Sequence, residues 1–184
     1  MNIHVVREFL DLDFLKFVEQ YYILKIKTGK DLDYGDVQAP KAIRMWGDLV
    51  GETILKLSTN KISEIYGKEL YPTYSFTRLY HQGDELVRHV DRSSCEYSAT
   101  ICLASPQGES LSSIYFETED EIKELILKPG DLCTYKGCEI PHWREPLEQP
   151  WLLQLFLHYV DANGEYKDKK YDGRECLGQN SIWE

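Results

Sequence analysis

The chain has 184 residues and carries 21 Lys and Arg against 31 Asp and Glu, a net charge of −10 at neutral pH. That length suits one domain, and the acidic balance excludes a surface built for general nucleic-acid binding. With 42% hydrophobic and 12% aromatic residues the chain can bury a core and falls outside the disordered class.

In chain order, the N-terminus Met1-Asn2-Ile3-His4-Val5-Val6-Arg7-Glu8 lacks the basic start and apolar run of a leader. No stretch approaches the ~20 apolar residues of a membrane span, so a cytoplasmic protein with no membrane partner is expected. Leu10, Phe14, Phe17, Val18, Tyr21 and Tyr22 recur at spacings of three and four, predicting a helix that Gly29 ends. A second helix is predicted after Pro40, with Ile43, Trp46, Val50, Ile54 and Leu57 on one stripe continuing through Ile62 and Ile65 to Gly67. From Leu70 the texture becomes short β-rich runs at 71–80, 85–90, 97–104, 112–117, 122–127, 131–135 and 151–160, separated by Gly, Pro and Asp turns. Many short strands without intervening helices favour a sandwich or jelly roll over a parallel sheet. The acidic run 117–121 reads as a solvated hairpin loop, and residues 162–184 as a surface extension. Five cysteines at irregular spacing, with no CxxC pair, read as reduced packing residues rather than a disulfide framework or zinc site.

Chemistry concentrates at His89-Val90-Asp91 and at His142. On a strand, residues i and i+2 share a face, so His89 and Asp91 can present an imidazole and a carboxylate to one point. A jelly roll can return His142 opposite them. Two His and one carboxylate leave positions of an octahedral metal open, as non-haem Fe(II) oxygenases require. An HxD alone occurs by chance in many chains, and a lone His is ordinarily a satisfied structural residue.

The segment Thr77-Arg78-Leu79-Tyr80-His81-Gln82-Gly83-Asp84-Glu85-Leu86-Val87-Arg88-His89-Val90-Asp91 resembles the strand pair carrying the HxD of the 2-oxoglutarate and Fe(II)-dependent oxygenases, most like the prolyl 4-hydroxylase branch. Leu127-Lys128-Pro129-Gly130-Asp131-Leu132, Pro141-His142 and the closing run 151–160 follow in the family's order, so the resemblance covers roughly 69–161. It implies an α+β chain, mostly β with N-terminal helices: a helical support at 1–68, a double-stranded β-helix at 69–161 and a C-terminal extension at 162–184. It further implies Fe(II) on His89, Asp91 and His142, with 2-oxoglutarate and O2 as cosubstrates. The implied reaction hydroxylates a C–H bond, a prolyl residue of a protein or peptide being one candidate, and yields succinate and CO2. The retained Asp91 favours hydroxylation over halogenation.

One departure stands out. The family's basic residue nine or ten positions after the distal His, which anchors the distal carboxylate of 2-oxoglutarate, is replaced by Trp151 and Leu152. Arg144 and Arg78 are the candidate substitutes, since a planar guanidinium takes a carboxylate through two parallel hydrogen bonds. Tyr80 matches the position of the branch's carboxylate-binding tyrosine, while Gln154 and His158 share one face of the closing strand and could bind the cosubstrate. Trp143 and Trp151 could line an entrance or simply pack. Segments 36–41 and 92–96 and the C-terminal extension are expected to select substrate. Three alternatives stay open: an iron oxygenase of this fold acting on a small molecule, one that does not use 2-oxoglutarate, and a non-catalytic cupin-like binding module.

Overall fold

The computed structural model describes residues 3–108 and 112–179. The leader reading at Met1 and Asn2 and the last five residues of the predicted extension lie outside them. Helix α1 (Leu12–Thr28) starts where the Asp11 carboxylate accepts from the amides of Asp13 and Phe14, and ends at Gly29. Helix α2 (Leu49–Tyr66) is capped the same way by Asp48 and ends at Gly67. Among the described residues, no helix is long and apolar enough to cross a membrane.

Both helices lie against one sheet. Strands β1 (His4–Val6), β2 (Asp33–Tyr34), β3 (Ile43–Trp46), β4 (Leu70–His81), β6 (Tyr97–Ala104), β9 (Leu132–Tyr135) and β11 (Trp151–Asp161) form it in the order β1-β9-β6-β11-β4-β3-β2. Strands β5 (Leu86–His89), β7 (Ser113–Glu117), β8 (Ile122–Ile126) and β10 (His142–Arg144) form the smaller facing sheet, in the order β5-β10-β7-β8. All the pairings are antiparallel.

The large sheet is covered on both faces, so period two sorts its residues between two cores. Leu153, Leu155, Leu157 and Tyr159 of β11 face the helices with Leu15, Val18, Ile54, Leu55 and Ile62. Leu152 instead packs between the sheets with Tyr80, Leu86, Cys102, Phe116, Cys133 and Tyr135. Gly51 lets α2 approach this closely: a Cβ there would stand 2.8 Å from Ser75 Oγ and 3.2 Å from Leu155 Cδ1.

Several elements differ from the sequence expectations. The predicted second helix does not begin after Pro40. Ile43 and Trp46 belong to β3, which pairs with β4, and Gly47, at φ 64, turns the chain before Asp48 caps α2. Their helical spacing was a coincidence that tertiary pairing overrode. Phe17 and Leu57 are exposed, and Leu10 precedes α1 with its amide on the Gly130 carbonyl. Strands β1, β2 and β10 were too short to be seen as patterns. Residues 162–179 are more than a surface extension, because Arg174 is buried and donates to Glu52 of α2 from Nη1 (3.1 Å) and Nη2 (3.2 Å).

Candidate metal centre

Strands β5 and β10 are neighbours in the small sheet, with His89 paired directly to His142. Their rings lie 4.3 Å apart between centroids. Asp91 follows two residues after His89, its amide donating to the Gly137 carbonyl (2.9 Å). One Asp91 oxygen is 3.4 Å from His89 Nε2 and 3.7 Å from His142 Nε2. The structure thus brings together the three residues predicted from sequence, and their ligand atoms lie within 4.8 Å of one another.

The nitrogens are oriented for a cation. His89 Nδ1 is 2.7 Å from the Val87 carbonyl, and His142 Nδ1 is 3.0 Å from that of Ile140. A carbonyl only accepts, so each Nδ1 carries the hydrogen and each Nε2 directs a lone pair at the shared point. Burial lowers the pKa of His142 against the opposing pull of Asp91, which keeps the ring neutral at pH 7. Burial would raise Asp91, yet the surrounding imidazoles of His89, His142 and His158 bring it down to about 2. Ser98 Oγ, across the gap on β6, lies 3.0 Å from the other Asp91 oxygen and 3.0 Å from His158 Nδ1. Gly137 leaves room for this packing. A Cβ there would collide with Asp91 Oδ2 and stand 2.5 Å from both the Cys95 carbonyl and Ser98 Oγ.

The centre opens into a cavity of about 510 Å³ lined by both sheets, including Trp46, Tyr74, Phe76, Arg78 and Phe156. Asp36, Val37 and Gln38 from one expected substrate loop, and Arg92 and Cys95 from another, line it as well. Trp143 and Trp151 do not. Trp143 stacks on Tyr115 and donates to Glu145. From the extension, Asp172 holds Arg92 through two bonds of 2.8 and 2.6 Å, and the Arg174 guanidinium lies 4.5 Å from the Trp46 ring centroid.

The two candidate anchor arginines differ sharply. Arg78 is buried on the cavity wall, and its Nη2 already donates to Asp36 (2.5 Å) and Gln38 (3.1 Å). Arg144, on β10, is buried between the sheets, and no ion pair to it exists among the described residues. Its Nη1 donates only to the carbonyls of Ser112 (3.3 Å) and Ser113 (3.1 Å), and its Nε has no partner. Burial pushes its pKa down, with Tyr80, Cys102, Tyr135 and Cys133 as its titratable neighbours. The hydroxyls of Tyr80 and Tyr135 are likewise buried without partners. A buried cation and two unpartnered hydroxyls between the sheets form a donor set of the kind that suits a carboxylate. Gln154 donates to Thr100 Oγ1 (2.6 Å) and keeps Oε1 free. His158, buried and held neutral with its pKa lowered to about 4, contacts Tyr74 and Ser98.

Sequence reasoning missed Tyr135, Ser98 and Gly137, and it placed Asp36 in a substrate loop without its bond to Arg78. Tyr135 shares the inward face of β9 with Cys133, so its direction was readable from period two, but its hydroxyl's isolation was not.

No family model matches the chain, and no curated protein matches it by sequence. Solved structures do match. A Pseudomonas putida prolyl-4-hydroxylase aligns with a TM-score of 0.69 at 15% identity, covering 86% of this chain and 92% of that one. A Trichoplax adhaerens prolyl hydroxylase, solved with a hypoxia inducible factor peptide fragment, aligns at 0.68 and 13% identity over 94% and 87%. The non-haem α-ketoglutarate-dependent epimerase SnoN of nogalamycin biosynthesis aligns at 0.69 and 13% over 87% and 78%. The chain therefore has the double-stranded β-helix fold of the 2-oxoglutarate/Fe(II) oxygenases, as the resemblance of 69–161 implied.

Proposed function

We propose that this chain is a non-haem Fe(II) and 2-oxoglutarate-dependent dioxygenase that hydroxylates a C–H bond. One observation carries the reading: the His-Asp-His cluster at the cavity shares its barrel with a buried cation, Arg144, that has no anion of its own. Each half fits one component. His89 Nε2, His142 Nε2 and an Asp91 oxygen would hold the metal, a donor set that suits non-haem iron and leaves positions open. Arg144, with the hydroxyls of Tyr80 and Tyr135, would hold the distal carboxylate of the cosubstrate, moving the cation from the closing strand, where Leu152 stands, to the opposite sheet. When bound, iron and 2-oxoglutarate supply oxidation of a C–H bond by O2, with succinate and CO2 as coproducts.

The protein's part is placement. The Val87 and Ile140 carbonyls fix the imidazoles as acceptors toward the metal. Ser98 holds Asp91 in one orientation while tying the small sheet to the large one. Phe76, Phe156, Tyr74 and Trp46 keep water from the reacting face of the cavity. Prolyl hydroxylases among the structures of this fold support a prolyl residue as one substrate class.

The test is spectroscopic. Anaerobic addition of Fe(II) and 2-oxoglutarate should produce a visible charge-transfer band, and admission of O2 should release succinate. Fully metallated protein showing neither would refute the proposal, as would unchanged iron content in a His89→Ala, Asp91→Ala variant.

A further inference from the structure

Strands β3 and β4 place Arg44 directly opposite Arg78, and both side chains line the cavity. Like charges directly opposed on neighbouring strands repel, and water screens the repulsion little at buried Arg78 and more at Arg44, whose side chain is a third exposed. The surrounding acids only partly relieve it. Asp36 sits 2.5 Å from Arg78 Nη2 but 3.8 Å from Arg44 Nη1, beyond hydrogen-bond reach. Asp33 is 3.9 Å from Arg44 Nε, and its side chain is 65% exposed, so solvent screens it. The Nε atoms of both arginines are buried with no hydrogen-bond partner. Arg92, the third arginine on the wall, is already matched by Asp172. Asp36 thus stands between two opposed guanidinia, and both arginines line the cavity.

From this arrangement we infer that the substrate carries a carboxylate and that Arg44 and Arg78 receive it. The inference rests on the oxygenase reading and names the substrate class for the same cavity. Arg144, behind Tyr80 and Tyr135, serves the cosubstrate, so the Arg44–Arg78 pair is left for a second anion. The neighbouring cross-strand row, Trp46, Phe76 and Phe156, gives the hydrocarbon part of such a molecule an aromatic wall one two-residue step, about 7 Å, along the strands. A small carboxylic acid of amino-acid size fits this division of the wall and a cavity of about 510 Å³. An internal peptide residue does not, because it offers only neutral amides to two cations.

The experiment titrates metal- and cosubstrate-loaded protein, kept anaerobic, with free amino acids and simple carboxylic acids, their primary amides, and prolyl peptides with free or amidated C-termini. Binding is read from tryptophan emission, with Trp46→Phe assigning the signal to the cavity. Carboxylic acids should bind at least tenfold tighter than their amides. Arg44→Gln should erase that preference, Arg44→Lys should restore part of it, and the 2-oxoglutarate concentration that half-saturates the charge-transfer band should stay unchanged in both. Binding confined to peptides with a free C-terminus would support the carboxylate and assign it to a chain end. Equal affinity for acids and amides, an indifferent Arg44→Gln, or tight binding of amidated prolyl peptides would overturn the inference. Failure of the oxygenase reading would show separately, as a missing charge-transfer band.

Discussion

Replacing Arg144 with Met tests the cosubstrate pocket through stability rather than turnover. In the ligand-free protein the buried guanidinium bears a desolvation cost of several kcal/mol with no ion pair to offset it. Against that stand two hydrogen bonds, to the Ser112 and Ser113 carbonyls, worth about 1.5–3 kcal/mol each for a charged donor. The two effects nearly cancel, so Arg144→Met should unfold within about 1 kcal/mol of the parent. Removing one member of an established buried ion pair would instead cost about 3–5 kcal/mol. Ligand reverses the comparison. With 2-oxoglutarate at a hundred times its Kd, the parent gains about 2.7 kcal/mol, roughly 5–10 °C for a chain of this size. The variant, binding at least about a hundredfold more weakly, should gain no more than about 0.4 kcal/mol. Thermal unfolding of both proteins, loaded anaerobically with Fe(II) and with or without 2-oxoglutarate, measures the difference. A variant that keeps the parent's ligand-induced shift would refute the assignment of Arg144. One that loses about 3 kcal/mol without ligand would mark the arginine as a purely structural group.

Three further outcomes are expected. Gly137→Ala should cost about 1–3 kcal/mol and lower iron content, because the new methyl group displaces Asp91 and Ser98; full iron occupancy at parental stability would contradict that packing. Glu52→Gln leaves Arg174 buried without its charge partner and should lose about 3–5 kcal/mol, with early proteolysis in 165–179; parental stability in urea would count against the pair. His158 stays neutral in the fold down to about pH 4, whereas the unfolded chain takes up a proton below the usual 6.5. Its contribution is therefore complete above pH 6.5 and lost as the pH falls toward 4, on the order of 3 kcal/mol in all. Urea midpoints at pH 7 and 4.5 should differ less in His158→Gln than in the parent, and equal differences would sink the argument.

The juxtaposition of His89, Asp91 and His142 was legible mainly through the order of the flanking turns, which carried a resemblance that the fold bears out; the strand period expected for His89 and Asp91 stops at His89, and the Asp91 amide is held instead by the Gly137 carbonyl. Tyr80, matched by the same resemblance, is buried between the sheets with its hydroxyl unpartnered. The choice between Arg78 and Arg144 was not legible. β10 turns Arg144 between the sheets, where Ser112 and Ser113 supply its acceptors among the described residues, a placement that no local pattern announces. Equally, nothing in the local sequence announces that Asp36 engages Arg78, since they lie 42 residues apart. The false helix start at Ile43 shows the opposite failure, a local pattern that looked decisive and was overridden by pairing with β4.

The grip of residues 165–179 on the cavity rim also bears on how the molecule assembles. Arg92 meets Asp172 across 80 positions of sequence, and Glu52 meets Arg174 across 122. Contacts of such separation form late, because a long loop must close before they return any energy. His89 and His142, by contrast, stand on strands paired directly to one another, 53 positions apart. The Arg92–Asp172 and Glu52–Arg174 contacts would thus close the rim last, over a His-Asp-His cluster whose strands have already paired.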